Sequence, residues 1–210
     1  MARLGRPRGF DREKALLRAM RVFWARGYEG ATLAGLQKAM GGIAAPSFYA
    51  AFGSKEKLFR EAVELYSKTL GAPMMESLAE GPTARASIET LLLAAVEAFC
   101  KPGAPRGCMF VLSAINTLPA NKGVRDSLRA LRARRRLAIR RRLERGAAEG
   151  ELPASLDFNA LAAFYTAVVD GLALQARDGA PRKALVFAVR CAMASWDAML
   201  VQPLPEPNVP

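Results

Sequence analysis

Apolar residues recur along most of this chain at intervals of three and four positions, the spacing that places side chains on one face of an α-helix. Apolar and polar residues do not alternate over any stretch long enough to indicate a half-buried strand. Hydrophobic residues make up 51% of the 210 positions, so the chain can also bury a substantial core. The sequence therefore predicts an all-α protein.

The predicted helices form a short set followed by a longer set. Near the N-terminus, Asp11, Thr32 and Ser54 stand where each can cap the first turn of a helix. Another short helix is predicted over residues 45–52, and the helix capped by Ser54 is expected to end near Leu70. Longer helices are predicted over residues 83–100, 106–118, 122–147, 157–177 and 182–200.

Positive charge is concentrated at the N-terminus. The formal net charge is +12, and residues 1–60 carry 12 Lys and Arg residues against 4 Asp and Glu residues. Such a basic segment indicates a polyanionic partner, most simply nucleic acid. A second basic run, residues 125–145, contains 10 arginines. Because apolar residues also repeat along this run, we expect it to form first of all a solvated amphipathic helix.

Several classes of protein are disfavoured by what the sequence lacks. It contains no histidine, the commonest general base and metal ligand, and its three cysteines form no close metal-binding pair. It has no Gly-rich phosphate loop and no nucleophile elbow. No apolar run is long enough to cross a membrane, and the charged N-terminus is unlike a signal peptide. We therefore expect a cytoplasmic protein that is not an enzyme and uses no metal or cofactor.

The segment MGGIAAPSFYAAFGSKEKLF, residues 40–59, predicts a helix-turn-helix motif. Two short helices meet here at a glycine-containing turn, and the major groove of DNA admits one such helix, whose first turns reach the base edges. Phe48 and Phe52, four residues apart, can share the inward face of the second helix. The side chains left for the DNA side are those of Ala45, Pro46, Ser47, Tyr49 and Ala50.

About fifty N-terminal residues carry motifs that together resemble the DNA-binding domain of the TetR family of bacterial repressors. These motifs are FWARGY at the end of the first helix, TLAGL at the start of the second, SFYAAF in the third and GSKEKLF entering the fourth. Further along, RGCMF, GELP and GLALQARDGAPR resemble one subgroup of the family. The resemblance implies a helix-turn-helix DNA-binding domain over residues 1–53, a helical ligand-binding and dimerisation domain over residues 54–202, and a Pro-rich tail at residues 203–210.

The resemblance also implies which residues contact double-stranded operator DNA. Ser47 and Tyr49 would meet the operator, with Tyr49 at a backbone phosphate. Thr32 and Lys55 would contact phosphates at helix N-termini, where free N–H groups already favour anions. The chain departs from the family pattern in two places: the turn GGIA is one residue longer than usual, and Ala44 stands where a Ser or Thr cap is common.

The extreme N-terminus forms a basic arm. Arg3, Arg6 and Arg8 alternate with Gly5 and Pro7, which prevent a regular helix there. Such an arm can lie in a narrow A·T-rich minor groove, or it can act as a basic tail that attracts DNA diffusely.

Family members bind DNA as homodimers and usually respond to a small molecule held within the C-terminal helices. Residues predicted for the dimer interface are Leu161, Val168, Leu172, Val189, Met193 and Trp196. Residues predicted to line the ligand site are Tyr66, Leu70, Phe99, Met109, Leu112, Ile115, Phe164 and Tyr165. Because this set is apolar and aromatic, we expect a small hydrophobic or aromatic effector that releases a repressor from its operator.

Three alternatives remain open at the level of the sequence. Cys108, beside Arg106 and near Lys101, could sense oxidants or electrophiles because positive neighbours favour the reactive thiolate, with Cys100 as a resolving thiol. A buried, inert Cys108 fits the same sequence. From other functional classes, the chain could be an arginine-rich helical RNA-binding or scaffold protein, or an enzyme without histidine that uses a C-terminal cavity.

Overall fold

The computed structural model describes residues 10–115 and 117–201. Within these residues every regular element is a helix, which confirms the all-α prediction. The α-helices are α1 (Arg12–Gly30), α2 (Leu33–Ala39), α3 (Ala45–Phe52), α4 (Lys55–Tyr66), α5 (Ala72–Glu80), α6 (Ala84–Phe99), α7 (Met109–Ile115), α8 (Lys122–Ala148), α9 (Phe158–Arg177) and α10 (Arg182–Val201). A π-helical segment, Ser67–Gly71, joins α4 to α5, and a 3-10 turn, Pro119–Asn121, precedes α8.

The three predicted caps are confirmed. The side chains of Asp11, Thr32 and Ser54 each accept hydrogen bonds from backbone N–H groups in the first turn of α1, α2 and α4, at 3.0–3.1 Å. Each cap satisfies donors that a helix N-terminus otherwise leaves without a partner. These short polar contacts therefore fix where the N-terminal helices begin.

An aromatic core holds the N-terminal helices together. Phe23, Phe48 and Phe59, from α1, α3 and α4, are fully buried. The rings of Phe23 and Phe59 meet edge to face, with centroids 5.0 Å apart. Near the end of α1 the backbone leaves helical geometry at Gly27, whose φ of 70° favours glycine, and α7 passes close by.

The C-terminal helices pack around α6. Its residues Ile88, Leu91, Leu92 and Ala95 are fully buried, and α8, α9 and α10 all contact this helix. The N-terminal helices join the bundle because α1 and α4, which pack against each other, both contact α7. The core is therefore continuous between the two halves of the chain.

Most predicted helix bounds agree with the structure to within two residues, but α5 is missing from the prediction. The sequence Gly71-Ala72-Pro73 suggested a break, whereas the chain continues from α4 through the π-helical segment into α5. Pro73 lies in the first turn of α5, directly after the π-helical segment, so this proline does not end the helical course of the chain. The helix predicted over residues 106–118 is also shorter, and α7 spans Met109–Ile115.

Candidate nucleic-acid interface and internal cavity

The outer face of α3 presents the side chains that the sequence pattern assigned to DNA. Ala45, Pro46, Ser47, Tyr49 and Ala50 are all exposed. Phe48 and Phe52 point into the core and are at most 3% exposed. The ring of Tyr49 is 51% exposed and meets the buried Phe48 ring edge to face at 5.4 Å. This contact holds the phenol at the surface of α3 and directs it outward.

The turn before α3 absorbs its additional residue through two consecutive glycines. Gly41 and Gly42 have φ values of 101° and 75°, in the left-handed region that side chains with a Cβ avoid. The N–H groups of Gly42 and Ile43 both donate to the carbonyl of Gln37, at 3.0 and 3.2 Å. Ile43 is buried, and Ala44 begins α3 without a side-chain cap. The longer turn therefore leaves Phe48 and Phe52 on the inward face of α3.

Thr32 and Lys55 differ in how freely they can meet a phosphate. Thr32 is exposed, and its hydroxyl caps α2 by accepting from the N–H of Gly35 at 3.1 Å. Lys55 is only partly exposed, and its Nζ lies 4.4 Å from the centroid of the Tyr28 ring. Burial lowers the pKa of this ammonium, while Glu29 opposes the shift. Arg3, Arg6 and Arg8 lie outside the described residues.

Arg12 fastens α3 to α4, a role that the sequence gave no signal for. Its Nη2 contacts the carboxylate of Glu61 at 2.7 Å and donates to the carbonyl of Ala51 at 3.3 Å. The same guanidinium stacks over the Phe52 ring, with 4.6 Å to the centroid. Because these contacts come from α1, α3 and α4 together, Arg12 links the position of α3 to that of α4.

A cavity of about 370 Å³ lies between the α4–α5 region and α8. Its walls come from the end of α4, the π-helical segment, α5, the end of α6, the start of α7 and the middle of α8. The lining residues are Tyr66, Ser67, Leu70, Gly71, Ala72, Met74, Met75, Ala98, Phe99, Cys108, Phe110, Leu131, Arg132, Arg134, Arg135 and Ala138. The walls are mainly apolar and aromatic, and arginines of α8 supply the charge.

Of the residues predicted for a ligand site, Tyr66, Leu70 and Phe99 line this cavity. The structure places Met109, Leu112, Phe164 and Tyr165 elsewhere. Met109 and Tyr165 are fully buried in the core, with Tyr165 against the Trp196 ring at 6.0 Å. Phe164 is 40% exposed on the outer side of α9, and Leu112 packs near Gly107. The side chain of Ile115 lies outside the described residues.

Three aromatic residues connect the cavity to α1. Tyr66 forms part of the cavity wall, and its ring meets Phe110 at 4.9 Å and Trp24 at 5.0 Å, both edge to face. Trp24 is buried in α1 and donates from Nε1 to the carbonyl of Gly107 at 2.8 Å. Burial, and then the neighbouring Cys108 side chain, raise the pKa of the Tyr66 phenol well above its ordinary value. The phenol is therefore neutral at physiological pH.

The basic run forms the predicted amphipathic helix, α8, but two of its arginines lie on the buried face. Arg135 is 6% exposed and pairs with Asp170 of α9. Arg142 is 4% exposed, donates from Nε to Ser87 Oγ at 2.9 Å and from Nη2 to the carbonyl of Gly81 at 3.3 Å. The two are seven residues apart, so they share one helix face. The seven-residue spacing could have indicated a shared buried face, but the other arginines of the run make this pair indistinguishable in the sequence.

The residues predicted for the dimer interface are mostly buried within the protomer. Leu161, Leu172, Val189, Met193 and Trp196 are at most 7% exposed within one protomer, and Val168 is half-buried. The most strongly apolar stripes of α9 and α10 pack against the protomer's own core, which is why they were selected from the sequence. The outward faces carry the exposed apolar residues Ala160, Ala163, Phe164, Ala167, Leu174, Ala184 and Phe187, and α10 also exposes Lys183, Arg190 and Asp197.

The cysteines lie in different surroundings from those that the sequence suggested. Cys108 is 2% exposed and lines the cavity. The guanidinium of Arg106 lies 3.5 Å from the sulfur of Cys100, and it donates to the carbonyl of Ala180. The cation that was expected to activate Cys108 therefore contacts Cys100. All three cysteines are free thiols.

The described residues contain no cluster of three or more His, Cys, Asp or Glu side chains that could hold a metal ion. Of the helices in the described part of the chain, none has the length and apolar character needed to cross a membrane.

Comparison with known proteins identifies the family. Residues 15–62 match the model described as "Bacterial regulatory proteins, tetR family", and residues 82–192 match "Tetracyclin repressor-like, C-terminal domain". The second match alone spans more than half of the chain. The chain therefore belongs to the TetR family and is a DNA-binding transcriptional regulator, not an enzyme. This assignment does not favour the RNA-binding, scaffold or enzyme alternatives.

Individual relatives span nearly the whole chain. The repressor ComR of Escherichia coli is 29% identical over 197 residues, which cover 93% of each protein. A cysteine mutant of the TetR family regulator CifR, solved with a 26-bp double-stranded operator, is 47% identical, with a TM-score of 0.87 over 91% of this chain and 100% of that one. A regulator from Rhodococcus sp. RHA1 is 39% identical, with a TM-score of 0.59 over 86% and 96%.

Proposed function

We propose that this protein is a homodimeric repressor that leaves its operator when a small molecule binds the cavity. The exposed face of α3 is the recognition surface, and the basic arm with Arg3, Arg6 and Arg8 extends the contact into the minor groove. Thr32 and Lys55 contact phosphates on either side of α3. The similarity to CifR, solved with duplex operator DNA, supports binding to double-stranded DNA. A regulator of this kind acts where the DNA lies, in the cytoplasm.

One observation carries the effector-response part of the proposal. The cavity wall includes Tyr66 and the π-helical segment, which directly continue α4. At its other end, α4 is separated from α3 only by Gly53 and Ser54, and Arg12 links the two helices. A ligand that displaces Tyr66 or Leu70 therefore moves α4, and α4 moves α3. Because a dimer must engage two half-sites about 34–36 Å apart, a small shift is enough to weaken binding.

The outward faces of α9 and α10 support dimerisation. On α9, the exposed positions from Ala160 to Leu174 that face away from the bundle are apolar. Phe187 on α10 is 65% exposed. An exposed apolar face made by two adjacent helices is typical of a protein interface, and a two-fold pair of such faces forms a four-helix contact. We assign the dimer interface to Phe164, Leu174 and Phe187.

The test of the DNA-binding proposal is a fluorescence anisotropy titration with a duplex from the region upstream of the protein's own gene. We expect submicromolar affinity that weakens steeply with salt, because bound phosphates release counterions. A scrambled duplex of equal length is the control. Equal affinity for both duplexes, or a preference for structured RNA, would contradict the proposal.

The effector response can be tested with a variant whose larger side chain fills the cavity. Ala138 lines it from α8, whereas Ala133 on the same helix is exposed outside it. We expect Ala138→Trp to repress an operator-driven reporter but to lose the response to any compound that induces the wild type. Ala133→Trp should keep the response. If Ala138→Trp is induced as strongly as the wild type, the signal enters elsewhere, and the thiol of Cys108 or Cys100 becomes the next site to examine.

A further inference from the structure

The guanidinium of Arg135 is a buried cation with an unused donor at the cavity wall. The residue is 6% exposed and lines the cavity. Its Nη2 donates to Oδ1 of Asp170. Its Nε is buried and has no hydrogen-bond partner among the residues that the structure describes. Buried polar groups are normally hydrogen-bonded, so the guanidinium of Arg135 has donor capacity that Asp170 does not use.

Arg142 provides an internal comparison, because it lies two turns further along the same face of α8. Its Nε donates to Ser87 Oγ, its Nη2 donates to the carbonyl of Gly81, and Glu149 and Glu151 lie 3.7 Å from the guanidinium. The surrounding protein thus satisfies the Nε of Arg142, whereas it leaves that of Arg135 free. Nη1 of Arg142 is also buried without a hydrogen-bond partner among the described residues, but Arg142 does not line this cavity, whereas Arg135 does.

The charge of the cavity wall favours an anion. Arg132, Arg134 and Arg135 all line the cavity, and among the described lining residues there is no Asp or Glu. Asp170, which pairs with Arg135, lies outside the lining and neutralises only one of the three cations. The rest of the wall is apolar, and a volume of about 370 Å³ is near the lower end of the range of about 300–1,000 Å³ for small-molecule pockets.

We propose that the effector is a small amphipathic carboxylate whose acid group binds the guanidinium of Arg135 and whose apolar body lies against Leu70, Met75 and Phe99. A carboxylate matches the planar fork of an arginine better than other common acceptors do. This inference rests on the proposed function, because it names the ligand class of the same cavity. It replaces the expectation of a purely hydrophobic effector.

The test is isothermal titration calorimetry on the full-length protein without DNA, at pH 7. The probes are benzoate, hexanoate and 3-phenylpropionate, each compared with the corresponding alcohol, which keeps the body and removes the charge. We expect at least one carboxylate to bind 10-fold or more tightly than its alcohol. Arg135→Gln should remove that preference while the affinity for the alcohol stays unchanged. Arg136→Gln, which changes the exposed neighbouring arginine, should keep it.

A second variant keeps the test decisive if Arg135→Gln does not fold. Asp170→Asn removes the ion-pair partner and leaves the guanidinium in place, so we expect the preference for the carboxylate to be retained or increased. The proposal is overturned if no carboxylate binds the wild type at millimolar concentration, if acid and alcohol bind equally, or if Asp170→Asn loses the preference. Such results would leave the operator titration, and with it the regulator function, unaffected.

Discussion

Tyr49 is the residue on which the DNA-binding surface depends most directly. Its ring is half exposed and contacts the buried Phe48 ring edge to face. This contact restricts the ring and directs the phenol outward. We predict that Tyr49→Ala weakens operator binding by roughly 1–3 kcal/mol. Thermal stability and the dimer should be unchanged, because exposed substitutions generally alter the free energy of unfolding by less than about 0.5 kcal/mol.

The matched variant for Tyr49 is Tyr49→Phe, which keeps the ring and removes only the hydroxyl. If the hydroxyl contacts a phosphate, this variant should lose part of the affinity that the alanine variant loses. Anisotropy titration and differential scanning calorimetry measure the two effects separately. A large fall in melting temperature with unchanged DNA affinity would mean that Tyr49 supports the fold of α3 instead of contacting DNA.

Trp24 joins the DNA-binding helices to the cavity region through one hydrogen bond. Replacing Trp24 by Phe keeps an aromatic ring against Tyr66 but leaves the buried carbonyl of Gly107 without its donor at 2.8 Å. We predict that Trp24→Phe lowers the free energy of unfolding by about 1–3 kcal/mol, measured by urea denaturation. Leu17→Ala, on the exposed side of α1, is the control and should change it by less than about 0.5 kcal/mol. Equal effects of both variants would contradict this role.

At the residue scale, a feature can be predicted from the sequence when it depends only on neighbouring residues. Thr32 and Ser54 were recognisable as caps because a cap depends only on the next three residues. The alternation of Phe48 and Phe52 with exposed neighbours follows from helical geometry alone. The ion pair of Arg135 with Asp170 was not predictable, since it joins residues 35 positions apart that only tertiary packing brings together.

At the scale of the element, α8 combines an exposed basic face with two buried arginines. Arg142 contacts Ser87 and Gly81 near α6, whereas the adjacent Arg141 is exposed. We predict that Arg142→Met lowers the free energy of unfolding by about 1–3 kcal/mol, because the buried hydroxyl of Ser87 and the carbonyl of Gly81 lose a charged donor. Arg141→Met, the matched control, should have little effect. Guanidinium denaturation of both variants would show the difference, and similar midpoints would mean that Arg142 contributes no more than a surface charge.

Helix periodicity located most of the elements but not how they face each other. The bounds of α6, α8, α9 and α10 follow from apolar spacing, and Thr83 and Asp157 also cap α6 and α9; both signals act within a few residues. Most residues predicted for the dimer interface are buried within the protomer, because an apolar stripe does not show whether it meets the protomer's own core or a partner. The cavity shows the same limit, since its walls come from five different helices and the π-helical segment.

At the scale of the whole molecule, the proposed dimer determines whether the protein reads two half-sites at once. We predict that Phe187→Glu converts the dimer to a monomer, because it places a charge on the exposed face assigned to the interface. Size-exclusion chromatography with light scattering measures the mass, and the operator affinity should fall with it. Leu118→Glu changes a residue of similar exposure before α8 and should remain dimeric. A dimeric Phe187→Glu protein would place the interface on another surface.

The π-helical segment determines which way α5 faces relative to α4. A π-turn holds one more residue than the α-turn it replaces, and each residue of an α-helix turns the chain by about 100°. If Ser67–Gly71 were wound as an α-helix with no residue removed, α5 would therefore be rotated by about that angle relative to α4. Met74 and Leu78, now buried, would turn away from the bundle while Leu58 and Phe59 stayed in place. The additional residue in the π-turn thus allows α4 to face the DNA-binding helices while α5 faces the cavity.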